Sequence, residues 1–144
     1  MWIWNNLIVI ECSILFINEY HLIQLLWLRQ KEHVKSQADN GFRILVDRIW
    51  PRGLKKTEFK MDLWQKDISP SRLLRKWFNH DESKWDEFKN RYYNELQAKK
   101  ESIDLLLEKA EKGTITLLYS SKENRYNNAI AIKEYLDAKL KHIK

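Results

Sequence analysis

Gly113-Thr114-Ile115-Thr116-Leu117-Leu118-Tyr119 decides how the chain is organised. Ahead of this run, Ile103, Leu106, Leu107 and Ala110 recur at helical spacing. The run itself is apolar and β-branched, as a strand buried in a sheet would be. Behind it, from about Asn127 to Lys141, Ala129, Ile132, Leu136 and Leu140 fall on one side of a second helical pattern. Helix, glycine, buried strand, loop, helix is the grammar of an α/β fold with right-handed crossovers. Gly113 sits where a left-handed helix C-cap is expected.

Outward from that unit, Phe42 to Ile49 (FRILVDRI) carries Ile44, Leu45 and Val46 in succession, which suits a strand covered on both faces, as in a parallel sheet. Leu22 to Leu28 is a third apolar run of strand length, followed by a polar loop from Gln30 to Asn40 and a turn at Asn40-Gly41. Between the second and last strands lie two more helical stretches. Ser69-Pro70 is expected to start one, with Ser69 as N-cap and Leu73, Leu74, Trp77 and Phe78 facing the core. Asp81 is expected to cap the next, whose stripe is Trp85, Phe88, Tyr92 and Leu96. The expected fold is therefore α/β: a small layered fold whose short, mostly parallel sheet, with strands near 22–28, 42–49 and 114–119, is flanked by helices.

A chain of 144 residues suffices for one domain with a real core, and only three Gly and two Pro interrupt it, so no interdomain linker is read. With 44% hydrophobic and 32% charged residues it is too apolar for a disordered polymer and too charged for an integral membrane protein. The formal charge of +6 favours anionic partners only mildly, because 20 acidic residues are spread among the 26 basic ones. Cys12 is the only cysteine, which excludes an intramolecular disulfide and fits a reducing cytoplasm. Residues 1–21 read as an N-terminal extension ahead of a domain spanning 22–144. Glu11 interrupts the apolar stretch from Leu7 to Ile17, leaving it short of the roughly 18 uncharged residues that a spanning helix needs. No Lys or Arg precedes Arg29, which argues against a secretion signal. Three readings fit this segment: an extra piece packed on the domain, a weak surface anchor, or sequence upstream of the true start.

The series Asp47-Arg48-Ile49-Trp50-Pro51-Arg52-Gly53, then Leu63-Trp64-Gln65-Lys66-Asp67-Ile68-Ser69-Pro70-Ser71, then Leu74-Arg75-Lys76-Trp77-Phe78-Asn79-His80-Asp81 is more specific than any of these patterns. Together with Thr116 to Tyr119, Asn127-Asn128-Ala129 and Glu134-Tyr135-Leu136, it resembles the signature of the YeaO-like family, a domain of unknown function (DUF488). The resemblance covers about Gly41 to Leu140 and implies a compact α/β domain. It implies no substrate, cofactor or activity. Two departures stand out: Tyr126 occupies the place of a family His before the Asn-Asn pair, and the N-terminal extension is additional.

In open α/β sheets ligands sit beyond the carboxyl ends of the strands. Two strands here end in polar groups, the first in Asp47, Arg48, Trp50 and Arg52, the second in Tyr119, Ser120 and Ser121, with Asn127 and Asn128 opening the last helix. If the strands are parallel, these residues gather around one cleft suited to a phosphate or carboxylate. The expected ligand-binding set is Asp47, Arg48, Trp50, Arg52, Tyr119, Ser120, Asn127 and Asn128. The structural alternative has Asp47 and Arg48 paired internally, Trp50-Pro51 wedging a turn and Arg52 satisfying a helix C-terminus. His80-Asp81 suggests a dyad, but adjacent side chains rarely face each other and Asp81 is explained as a cap.

A second functional reading is a nucleic-acid module. Lys55, Lys56, Lys60, Arg72, Arg75, Lys76, Lys84, Lys89 and Arg91 lie among Phe59, Trp64, Trp77 and Trp85, the mixture of cations and aromatics that a single-strand platform uses. Trp77 and Trp85 fall on expected core faces, which weakens it. A purely structural or interaction domain is the third reading. No Gly-rich phosphate loop, paired-His metal spacing or nucleophile elbow occurs, so no metal is assigned and no cofactor is named.

Overall fold

A computed structural model describes residues 23–27, 41–57 and 59–143. The expected extension 1–21 and the loop at 30–40 lie outside these residues. Four strands, β1 (Ile23–Trp27), β2 (Phe42–Leu45), β3 (Leu63–Trp64) and β4 (Ile115–Tyr119), form one sheet in the order β1-β4-β2-β3. Every pairing is parallel, with Leu25 opposite Leu117 and Ile44 also opposite Leu117 on the other side. β4, the strand on which the expected fold turns, is central and buried along its whole length.

The helices are α1 (Arg72–Phe78), α2 (Trp85–Gln97), α3 (Lys100–Lys112) and α4 (Asn128–Ile143). Strand alternation divides the core into two layers. Ile23, Leu25, Ile44, Ile115, Leu117 and Tyr119 share a core cluster with the buried faces of all four helices. On the other face Leu45 and Leu118 meet Phe59, with Trp50, Leu54, Met61 and Trp64 packed around them. Among the described residues no helix is long and apolar enough to cross a membrane.

Four local expectations are corrected. β2 ends at Leu45 rather than Ile49, because the Val46 amide makes a last bond to the Leu118 carbonyl (3.1 Å) and the chain then leaves the sheet. The N-cap of α1 is Ser71, whose hydroxyl accepts from the Leu74 amide; the Ser69 hydroxyl instead donates to the Val46 carbonyl (2.8 Å). With that start only Leu74 and Phe78 of α1 are buried, and Leu73 is 80% exposed. Gly113 is extended (φ 162°) and needs no left-handed freedom. Asp81 does cap, accepting from the Ser83 amide (3.0 Å) in the short 3-10 turn Glu82–Lys84 that leads into α2.

Candidate ligand cleft at the strand ends

Parallel pairing brings the ends of β2 and β4 to one edge of the sheet. The two chains then part: residues after β2 run to the face that holds Trp50 and Phe59, while α4, after β4, packs on the opposite face. Adjacent strands whose connections leave to opposite faces open a crevice at their carboxyl ends. A cleft of about 670 Å3 lies there, walled by 47–49, by segments from Ser69 to His80, and by 120–128.

The two strand tips are tied directly. A single oxygen of the Asp47 carboxylate accepts from the Ser120 amide (2.8 Å) and the Ser120 hydroxyl (2.6 Å). Burial pushes the Asp47 carboxyl above the usual carboxylate range, against the lowering pull of Ser120, Asn128 and the Arg75 charge. Because the folded value lies above the unfolded one, the stability associated with this group is complete below the unfolded pKa and is lost as pH rises through the folded value. Asp47→Asn, a neutral isostere that still accepts from Ser120, is therefore expected to match the wild type in urea denaturation near pH 4 and to be at least as stable at pH 7. Asp47→Ala, which strands the Ser120 amide, is expected to lose about 1–3 kcal/mol at both pH values. An Asn variant less stable than Ala at pH 7 would contradict this account.

Asn127 lines the cleft and Tyr119 supports it from behind. Asn127, 1% exposed, caps α4 by accepting from the Ile130 amide (3.1 Å) and donates to the Glu123 carbonyl (2.8 Å). Tyr119 is buried under α4, and burial pushes its phenol up against a lowering hydrogen bond with Asn127. Asn128 donates to the Val46 carbonyl (3.4 Å). On the opposite wall, the Tyr92 hydroxyl donates to the Ile68 carbonyl (2.5 Å) and so fixes the segment that delivers Ser69 and Pro70.

Of the eight expected residues, Asp47, Arg48, Ser120, Asn127 and Asn128 line the cleft. Trp50, Arg52 and Tyr119 do not. Trp50 packs edge-on against Phe59 (5.4 Å) and Trp64 (5.5 Å), and its indole N–H donates to the Leu54 carbonyl (2.6 Å). Arg52 is exposed in the turn that follows. Residues absent from the expected set also line the cleft, among them Arg75, His80, Ser121 and Lys122. Arg75 and His80 come from α1 and the turn after it, a wall that no strand end supplies.

Among the described residues neither Arg48 nor Arg75 joins an ion pair, and the Nε of Arg75 is buried without a hydrogen-bond partner. His80 is presented by two consecutive left-handed residues, Asn79 (φ 45°) and His80 (φ 55°). Its Nδ1 lies 3.2 Å from the Tyr126 carbonyl, so that nitrogen carries the proton. Tyr126 turns away from the cleft: its hydroxyl donates to Glu82 (2.5 Å) and its ring packs edge-on against Trp85. Among the described residues no three His, Cys, Asp or Glu side chains converge as a metal site would require.

A small α/β fold with an all-parallel sheet and a crevice at the ends of two adjacent strands is the class of protein these features define. The chain belongs to the DUF488 family: the profile described as "Inactive DUF488-N3 subclade" matches residues 23–144. It is 40% identical over 101 residues to "Uncharacterized protein YeaO" of Escherichia coli (strain K12), covering 70% of this chain and 88% of that protein. "Uncharacterized protein Rv3073c" of Mycobacterium tuberculosis (strain ATCC 25618 / H37Rv) is 48% identical over 58 residues, 40% of this chain and 49% of its own. No solved structure matches.

Proposed function

We propose that this protein binds a small phosphate- or carboxylate-bearing ligand in the cleft beyond β2 and β4, and holds it rather than converting it. The observation that carries this reading is the meeting of Arg48, Arg75 and Lys122 around one hollow, where they outnumber the carboxyl groups of Asp47 and Glu123. Guanidinium groups also match phosphate and carboxylate in shape. Holding rather than turnover is supported by the word "inactive" in the description of the matching subclade. The lone Cys12 supports a reducing cytoplasm as the setting of this activity.

The nucleic-acid reading has less support. Arg91 lies 4.2 Å over the ring of Trp77, Lys84 caps the same ring, and Lys89 sits over Trp85. Cations that cover these aromatic faces compete with any base that would stack there.

Isothermal titration at low salt with inorganic phosphate, glycerol 1-phosphate and citrate tests the proposal. At least one anion is expected to bind, and Arg75→Ala to weaken it by about tenfold or more, since a charge-assisted hydrogen bond contributes roughly 1.5–3 kcal/mol. No binding of any of the three at millimolar concentration, or unchanged binding by Arg75→Ala, would overturn it.

A further inference from the structure

The cleft is larger and less polar than a bare anion requires. At about 670 Å3 it lies within the range of pockets that enclose whole organic ligands, roughly 300–1,000 Å3. Its lining is divided. Arg48, Arg75 and Lys122 supply positive charge, whereas Ile49, Pro70, Phe78 and Phe88 supply an apolar wall. Phe78 and Phe88 are stacked 4.1 Å apart and are 3% and 1% exposed, so they form a rigid floor.

Ile49 is the informative residue. It is 68% exposed, one of the few large hydrophobics left open among the described residues, and it stands on the cleft wall next to Arg48 in sequence. An isoleucine beside a charged pocket has apolar surface to cover, and a ligand with an apolar body would cover it. Resting on the anion site proposed above, we propose that the ligand is an amphipathic anion: a phosphate or carboxylate attached to a compact ring. The charged group meets Arg48, Arg75 and Lys122. The ring lies between Ile49 and the Pro70 side of the cleft, over the aromatic floor.

Four probes separate this inference from the simpler one: glycerol 1-phosphate, a polar anion; phenyl phosphate, an anion on a ring; octyl phosphate, an anion on a lipid-like chain; and phenol, a ring without charge. Phenyl phosphate is expected to bind about tenfold more tightly than glycerol 1-phosphate, the advantage that burying much of one Ile side chain gives. It is also expected to exceed octyl phosphate and phenol. Ile49→Ser, at an exposed site where folding is not at stake, should remove most of the preference for phenyl over glycerol phosphate; Arg75→Ala should weaken both phosphates. Equal affinity for phenyl and glycerol phosphates, or a ring preference untouched by Ile49→Ser, overturns this inference while leaving the anion site standing. Tighter binding of octyl phosphate overturns the ring in favour of a chain. If neither phenyl nor glycerol phosphate binds, this inference falls, and the anion site falls with it only if inorganic phosphate and citrate fail to bind as well.

Discussion

Gly41→Ala is expected to destabilise the protein by about 2–4 kcal/mol, combining a left-handed backbone with forced overpacking. Gly41 has φ +57°, a conformation that an alanine enters only with strain. The steric conflict is larger. A Cβ at this position would lie 2.0 Å from the Thr114 carbonyl oxygen, and that oxygen accepts from the Phe42 amide (2.9 Å) as β2 begins beside β4. Relieving the clash means moving two strands apart where their pairing starts. For a domain of this size the expected fall in melting temperature is roughly 5–15 °C. Gly113→Ala is the matched control: Gly113 is extended and a methyl group there would meet nothing within 4 Å, so a change of no more than about 0.5 kcal/mol is expected. Equal losses in the two variants by urea denaturation would refute the assignment of a special role to Gly41.

Phe88→Ala is expected to cost about 3–5 kcal/mol, the range for emptying a buried aromatic site. Phe88 is 1% exposed and central to a ring series: stacked on Phe78 at 4.1 Å and on Trp85 at 5.6 Å, and tilted against Tyr92 at 5.5 Å. These rings join α1 to α2 and form the floor beneath the cleft. Truncation removes packing from all of them at once, and α1, with only Leu74 and Phe78 buried, has little else to hold it. Phe88→Leu, closer in volume, should lose less than half as much as the alanine variant. Near-equal losses in Leu and Ala would show that aromatic stacking rather than filled volume governs the site.

The sheet is readable from sequence because three strands are continuous apolar runs that need cover on both faces. Leu25, Ile44 and Leu117 meet in the sheet where those runs imply neighbours. β3 gives no such signal. Two residues show no period, and Leu63–Trp64 is held to β2 by bonds on either side: the Asp62 amide donates to the Arg43 carbonyl (2.8 Å), the Gln65 amide donates to the Leu45 carbonyl (2.9 Å), and the Asp62 carboxylate accepts from the Arg43 amide (2.7 Å). The cap of α1 lies two residues beyond its expected place: Ser69 followed by Pro70 is the stronger local signal, but the Ser69 hydroxyl is taken by the Val46 carbonyl, 23 positions away in sequence, and Ser71 caps instead.

The site is legible in part. Parallel strands make the joint edge of Asp47 and Ser120 predictable, and Asn127 and Asn128 follow from their position at the start of α4. Trp50 and Arg52 are only three and five residues beyond Asp47, but the chain swings to the other face of the sheet between them, and sequence proximity does not report that turn. Arg75 sits in an amphipathic helix, where an arginine normally faces water. Its placement on the cleft wall depends on how α1 packs, which no local pattern encodes.

The walls of the cleft come from three stretches, near positions 48, 75 and 122, that are far apart along the chain and meet only once β4 has paired with strands formed much earlier in the sequence. Such long-range pairings are closed late and slowly during folding. No partly assembled form can therefore offer the same pocket, and occupancy by any guest counts wholly toward the native state. Saturating the hollow at a hundred times the dissociation constant would add about 2.7 kcal/mol to global unfolding, making the guest a fastener for the entire sheet.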